Sequence, residues 1–282
     1  MSARRQRSRV PVRARRTCLT VPASSERMLA KARTLGADEI VVDLEDAVAD
    51  VGKETARSLA VAALRTGPLG RTTGLRVNAR GTRWWQGDLR AAADARPDVV
   101  VLPKVESPED VAAAAELLPD GIGLEAQIET ARGLVEAERI AAAGHGLEAL
   151  VLGPADLAAS LGVPVLTIGS GTADYAMARV AAAARAFGLQ PIDGPHAVLD
   201  DEEGLVASAR RALAHGYDGK WVIHPSQIEP VDRVFTPSPE EIDRAERILA
   251  AARGAARFEG ELVDAASQRL AEALLRRAGR LS

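Results

Sequence analysis

A chain of 282 residues is long enough for one large α/β domain or two small ones. Its apolar content of 47% and net charge of −3 point to a folded, soluble protein and exclude a disordered chain. No apolar run approaches the roughly 20 residues of a membrane span. Cys18 is the only cysteine, which excludes an internal disulfide or a cysteine-based metal cluster and fits a reducing cytoplasm.

The first stretch, "MSARRQRSRVPVRARR", carries seven arginines and no acid. A nucleic-acid arm or an organelle presequence would use such a run. Basic residues elsewhere are offset, and outnumbered, by acids, so no extended nucleic-acid face is expected. It has no apolar segment of the secretory kind, and residues 1–15 read as a disordered basic tail.

Beyond it, short β-rich runs alternate with Ala, Leu and Arg-rich segments of helical period. The expected strands are "RTCLTVPA" (16–23), "EIVVDLED" (39–46), "GLRVNA" (74–79) and "DVVVLPKV" (98–105). Four more follow: "GLEAQIET" (123–130), "EALVLGPADL" (148–157), "LQPIDGP" (189–195) and "KWVIHP" (220–225). Eight βα units in about 250 residues match a TIM (β/α)8 barrel. A doubly wound open sheet competes, but no G-x-G-x-x-G follows the first strand. The barrel is expected over residues 16–253. Residues 254–282 exceed what eight units need and are expected to form a C-terminal helical extension, a lid or oligomerisation segment.

Catalytic groups of a TIM barrel sit at the C-terminal ends of its strands. Those ends hold Asp43, Glu45, Arg76, Asn78, Lys104, Glu129, Asp156, Asp193 and His224. In "LEAQIETARGLV" the two-residue period of a strand puts Gln127 and Glu129 on one face and Ala126 and Ile128 on the other. Neighbouring strands lie roughly 4.8 Å apart, so Glu129 and Asp156 could aim two carboxylates at one point. Two hard oxygen ligands completed by water suit Mg²⁺, with Mn²⁺ possible. The plainer alternative is a buried acid satisfied by Arg76 or a backbone amide. Arg76 is expected to hold a carboxylate or a developing enolate oxygen in its fork, or to pair with Glu45. Gly153 would let backbone N–H groups approach an anionic ligand, and Asp43 is a further candidate for substrate binding. Lys104 raises a rival chemistry, a Schiff base. Its acidic neighbours should keep its pKa high, which disfavours a nucleophilic amine.

The pieces "VPASSERMLAKARTLGADEIVVDLEDAV", "LRVNARGT", "VVLPKVES", "QIETARGL", "LGPADLAASLG" and "GYDGKWVIHPSQIEPVDRVFTPSPEEI" resemble the citrate lyase β-subunit-like family of the HpcH/HpaI aldolase superfamily. They run in order from residue 16 to about residue 250. "AQIET", "IDGP", "GKWVIHP" and "FEGELVDA" are most similar to its malyl-CoA and citramalyl-CoA lyase branch.

The resemblance implies a Mg²⁺-bearing TIM barrel that makes or breaks a carbon–carbon bond beside a CoA thioester, with a small oxoacid as co-substrate. It implies homotrimers or homohexamers in which a C-terminal segment covers a neighbouring site. Glu129 and Asp156 become the metal ligands and Arg76 the substrate arginine. Glu45 would hold metal-bound water or orient Arg76, and Asp264 matches the acid/base aspartate. Arg16, Arg27 and Lys31 become partners for coenzyme A phosphates. The competing enzymes are a citrate lyase β subunit working on an acyl carrier protein, a metal-dependent pyruvate aldolase, and a malate synthase or thioesterase that also hydrolyses the product. A non-catalytic nucleic-acid binder is the competing class.

Overall fold

The computed structural model describes residues 13–164, 171–251, 256–258 and 261–281. Contacts divide the chain into two compact units, residues 1–231 and 232–282.

The first unit is the expected barrel. Its strands are β1 (Thr17–Pro22), β2 (Glu39–Asp43), β3 (Thr72–Arg76), β4 (Val99–Leu102), β5 (Gly123–Ile128), β6 (Leu147–Leu152), β7 (Gln190–Asp193) and β8 (Gly219–Val222). All pair in parallel and in sequence order, and β8 closes onto β1. The helices between them are α1 (Glu26–Ala32), α2 (Lys53–Arg65), α3 (Trp85–Ala95), α4 (Pro108–Ala115), α5 (Ala131–Ala141), α6 (Pro154–Leu161), α7 (Gly171–Ala186) and α8 (Glu202–Ala214), with α9 (Ile228–Phe235) after β8. Strands β2 to β8 are buried along their whole length, because a parallel barrel faces helices outside and its own side chains inside. No helix among the described residues is long and apolar enough to cross a membrane.

Each strand is shorter than its sequence pattern, which moves candidate residues off the strands, Asp156 and Asn78 among them. The run 148–157 stops at Leu152, because Gly153 caps α6 and Pro154 takes its first position. Asp156 therefore lies in the first turn of a helix rather than on a strand. The run 74–79 begins earlier, at Thr72, and ends at Arg76, leaving Asn78 in the loop.

The barrel interior is layered. Cys18, Val41, Val101, Ala149, Val151, Ile192 and Trp221 form an apolar middle layer. Below it, at the N-terminal ends of the strands, lies an ionic layer that the tail completes. Arg15, 1% exposed, places Nε 2.6 Å from Glu125 Oε1 and 3.3 Å from Glu39 Oε2. Its Nη2 meets Glu148 Oε2 at 2.7 Å and its Nη1 donates to Gln190 Oε1 at 2.6 Å. Arg13 adds a 2.9 Å contact to Glu148. The boundary expected at residue 15 is therefore corrected: Arg13 and Arg15 belong to the barrel, while residues 1–12 lie outside the described residues. A Cβ on Gly219 would run into the carbonyl of Arg15, so only glycine lets this segment pass so close to β8.

Burial raises the Glu39 carboxyl to about 8, and the Glu125 charge pushes the same way. Burial also raises Glu125. Arg15 is held charged: burial opposes its charge, but Glu125, Glu39 and Glu148 outweigh that and raise its pKa.

The second unit contains α10 (Pro239–Ala251), a two-stranded antiparallel sheet of β9 (Ala256–Phe258) and β10 (Glu261–Val263), and α11 (Ala265–Arg277). Ala245, Ala271 and Leu275 pack between α10 and α11, with Ile242, Ile248, Leu249 and Leu274 around them. Because α10 shares this small core, the division falls at residue 232, earlier than the 253–254 boundary expected from the count of βα units.

Candidate active site

Register brings the first pair together. Asp43 ends β2 and Arg76 ends β3, and they are direct partners across the two strands. Arg76 Nε and Nη2 donate to the two Asp43 oxygens at 2.7 and 2.6 Å. The same oxygens accept the N–H groups of Glu45 and Ala47 at 2.8 and 3.1 Å. Asp43 is fully buried. Its expected role in substrate binding is therefore corrected: both oxygens are spent on Arg76 and on the loop that carries Glu45.

One edge of the Arg76 guanidinium is thus already taken. Its Nη1 remains, 3.0 Å from Glu45 Oε2, 3.4 Å from Gln127 Oε1 and 3.6 Å from Asp46 Oδ2. The guanidinium lies over the Trp221 ring, 5.4 Å from its centroid, a cation–π arrangement that seats it on the apolar layer. Burial works against its charge, but the Asp43 hydrogen bonds and the charges of Asp43 and Glu45 raise its pKa further.

Glu45 sits between two cations. Its Oε1 accepts from Lys104 Nζ at 2.5 Å, and its backbone is pinned by buried Lys53, whose Nζ donates to the carbonyls of Leu44 and Glu45 at 2.9 and 2.6 Å. Burial raises the Glu45 carboxyl, and Arg76 and Lys104 oppose that rise. Glu45 Oε2 is buried without an aligned hydrogen bond.

Glu129 follows β5 and is 2% exposed. Its Oε1 accepts the backbone N–H of Lys104 at 2.7 Å. Burial first, and then the Glu45 charge, raise its carboxyl to about 7. A Cβ on Gly153 would collide with the Glu129 side chain, so the glycine makes room for the acid. The Gly153 N–H already donates to the Ile128 carbonyl, so the expected anion-binding role of that amide is corrected. Asp156, 40% exposed at its side chain, lies 3.7 Å from Lys104 Nζ and contributes to the rise at Glu129. Its place in the first turn of α6 is one where the helix dipole favours negative charge.

The mouth therefore gathers Asp43, Glu45, Asp46, Glu129 and Asp156 against Arg76 and Lys104. That excess of negative charge, with two of the acids unpaired by arginine, fits a divalent cation. Among the described residues no three His, Cys, Asp or Glu side chains form a metal cage. An ion held by Glu129 and Asp156 would take the rest of its shell from water and substrate, as Mg²⁺ commonly does.

Lys104 is charged and tied: burial would lower its pKa, but the hydrogen bond and charge of Glu45 raise it. That direction is opposite to what a Schiff-base amine needs. The other expected residues part ways. Asn78 is turned toward α3, where Asp88 accepts from its backbone and side chain at 2.9 and 2.6 Å. Asp193 is paired with Lys220 at 2.5 Å, and Lys220 also reaches the Gly194 carbonyl. His224 caps the short turn Pro225–Gln227 and accepts from Ser226 N.

Arg27, Lys31 and His224 line a cavity of about 280 Å³ with Thr20, Met28 and Ile223. Arg16 does not join them. It precedes β1, at the far end of the barrel, with its fork on Asp38 at 2.7 and 3.0 Å; its expected role beside a phosphate is corrected. Asp264 belongs to the second unit, where it caps α11 and accepts from Ala266 N and Ser267 N, both at 2.9 Å. Those hydrogen bonds, Ser267 foremost, lower its carboxyl.

A family model described as HpcH/HpaI aldolase/citrate lyase matches residues 16–225, the span that carries every member of this mouth. The chain belongs to the HpcH/HpaI aldolase/citrate lyase family. A second model, described as a C–C bond lyase of the TIM-barrel fold, matches residues 178–280. This HpcH/HpaI family member is a carbon–carbon lyase. It is 41% identical to a (3S)-malyl-CoA thioesterase of Cereibacter sphaeroides over 261 residues, covering 88% of this chain and 89% of the relative. It is 35% identical to an L-malyl-CoA/β-methylmalyl-CoA lyase of the same species over 309 aligned positions, covering 96% and 97%. Among solved structures, the protein CitE of Mycobacterium tuberculosis, in complex with magnesium, acetoacetate and coenzyme A, superposes with a TM-score of 0.80 at 40% identity. That match covers 94% of this chain and 98% of CitE.

Proposed function

We propose that the protein is a Mg²⁺-dependent acyl-CoA lyase that makes or breaks the Cα–Cβ bond of a 3-hydroxyacyl-CoA such as malyl-CoA, β-methylmalyl-CoA or citramalyl-CoA. The observation that carries the reading is Glu129. It is a buried acid whose space is cleared by Gly153, in a mouth with more carboxylates than cations. Relatives named for malyl-CoA chemistry and a neighbour crystallised with magnesium and coenzyme A support it.

Bound Mg²⁺ would polarise the oxygen of the α-hydroxy or α-oxo acid. Glu129 and Asp156 supply its protein oxygens. In cleavage the substrate hydroxyl gives its proton to a solvent water, its oxygen becomes the carbonyl of the oxoacid, and the Cα–Cβ electron pair passes to the thioester as an enolate. Arg76 Nη1 is the donor left over to stabilise that enolate oxygen, its other edge being fixed by Asp43. Glu45 orients Nη1 and is placed to accept from a water at the same point. Asp264 is assigned the acid that protonates the enolate carbon. Arg27 and Lys31, beside their cavity, suit the phosphates of coenzyme A. We place the enzyme in the cytoplasm as a homotrimer or homohexamer on the same family reading. A citrate lyase β subunit and a pyruvate aldolase without thioester remain the alternative lyases.

The 41% identical relative named a thioesterase favours one second reading, in which the same enzyme also hydrolyses the thioester. Incubating (3S)-malyl-CoA with enzyme and Mg²⁺ tests both. Acetyl-CoA and glyoxylate are the expected products. Malate and free coenzyme A alone would replace the lyase by the thioesterase, and no turnover of malyl-CoA, β-methylmalyl-CoA or citramalyl-CoA would remove the proposal.

A further inference from the structure

Lys104 joins the two halves of the acidic mouth through one residue. It follows β4 with a φ of +52°, a backbone conformation that side chains other than glycine, asparagine and aspartate seldom adopt. That conformation lets its N–H donate to Glu129 Oε1 at 2.7 Å while its side chain crosses to β2. There its Nζ lies 2.5 Å from Glu45 Oε1, 3.8 Å from Asp46 Oδ1 and 3.7 Å from Asp156 Oδ1. Only a third of the side chain is exposed. Arg76, the other cation of the mouth, spends one edge on Asp43. Lys104 is thus the one cation of the two that stands beside Asp156.

We propose that Lys104 is a counter-ion built into the metal pocket. Its ammonium neutralises Glu45 and Asp156, competes with a divalent ion for the oxygen of Asp156, and so sets the metal affinity. The inference rests on the reading of Glu129 and Asp156 as metal ligands. Its physical basis is charge. A cation 3.7 Å from a ligand oxygen opposes a second cation on that oxygen, and in a partly dry site the opposition is only weakly screened. The same attraction offsets the mutual repulsion of Glu45 and Asp156 when no metal is bound, and so stabilises the metal-free protein. The residue is then a positioning and affinity-setting group for Glu45 and Asp156, distinct from the ligands themselves.

Mn²⁺ titration followed by electron paramagnetic resonance reads this directly, alongside thermal unfolding with and without the ion. The proteins to compare are the wild type, Glu129→Gln, Lys104→Met and Lys104→Asn; asparagine tolerates the positive φ and guards against a misfolded methionine variant. The wild type should bind Mn²⁺ and Glu129→Gln should lose that binding. Both Lys104 variants should bind Mn²⁺ more tightly, by about tenfold, unfold at a lower temperature without metal, and gain more from its addition. Unchanged or weaker Mn²⁺ binding in both Lys104 variants, with the wild type and Glu129→Gln behaving as expected, would overturn the counter-ion role alone. A wild type that binds no Mn²⁺ would overturn that role together with the metal site.

Discussion

Asp43 grips Arg76 along its Nε–Nη2 edge at 2.7 and 2.6 Å and leaves Nη1 as the donor facing Glu45 and Gln127. Both residues end adjacent strands in direct register, so the barrel itself aims the guanidinium. Asp43→Asn keeps the shape but gives up one charge-assisted acceptor. We expect turnover to fall by on the order of 10²-fold, with little change in KM, because the aim of Nη1 matters most to the developing enolate. Arg76→Lys should fall further, since an ammonium cannot hold Asp43 and face the substrate at once. Steady-state kinetics on malyl-CoA with both variants would show it; wild-type turnover in Asp43→Asn would mean that Arg76 needs no such grip.

Metal removal should abolish activity, and Gly153→Ala should imitate it. The added methyl group collides with the Glu129 side chain and must displace the carboxylate or the α6 start. We expect this variant to fold, to bind Mg²⁺ at least tenfold more weakly, and to lose activity in proportion at limiting metal. Calorimetric Mg²⁺ titration checks it, and full activity after exhaustive chelation would contradict the metal reading itself.

Asp264 caps α11 through Ala266 N and Ser267 N. The same carboxylate is the assigned acid/base. Asp264→Asn retains much of the cap, since asparagine caps about as well as aspartate. Its thermal unfolding should stay close to that of the wild type, while solvent exchange of the acetyl-CoA methyl protons should nearly stop. Exchange at the wild-type rate would confine Asp264 to capping.

The ionic layer makes stability depend on pH in a direction opposite to an ordinary paired carboxylate. Glu39 has its pKa raised from 4.5 to about 8 by burial. Between those values the folded state holds a proton that the unfolded state has released, so stability falls as pH rises through the window and levels off above it. The wild type should therefore unfold at a lower temperature at pH 8 than at pH 6, and Glu39→Gln should show a smaller difference. Arg15→Met removes the cation from three buried acids and should cost about 3–5 kcal/mol. Thermal scans of the three proteins across that range suffice.

Much of this molecule could be read from local pattern. The alternation of eight β-rich runs with helical segments determines the barrel class, since strand and helix periods are properties of short windows. The period of two placed Gln127 and Glu129 on one common face, and the habit of TIM barrels placed Glu45, Arg76, Lys104 and Glu129 at the mouth. The same period extends back to Glu125, and from Val41 to Glu39, which was the available signal for the ionic layer.

What periodicity cannot supply is the partner. Arg76 offered a fork, but the β2–β3 register gave that fork to Asp43. Arg15 looked like tail until closure of β8 onto β1 set it among Glu39, Glu125 and Glu148. Arg16, Arg27 and Lys31 are near in sequence, yet a strand of six residues, about 20 Å long, separates the first from the others. The face a side chain takes is decided by its own few residues, whereas the charge it meets is decided by strands tens of residues away and by how the barrel closes.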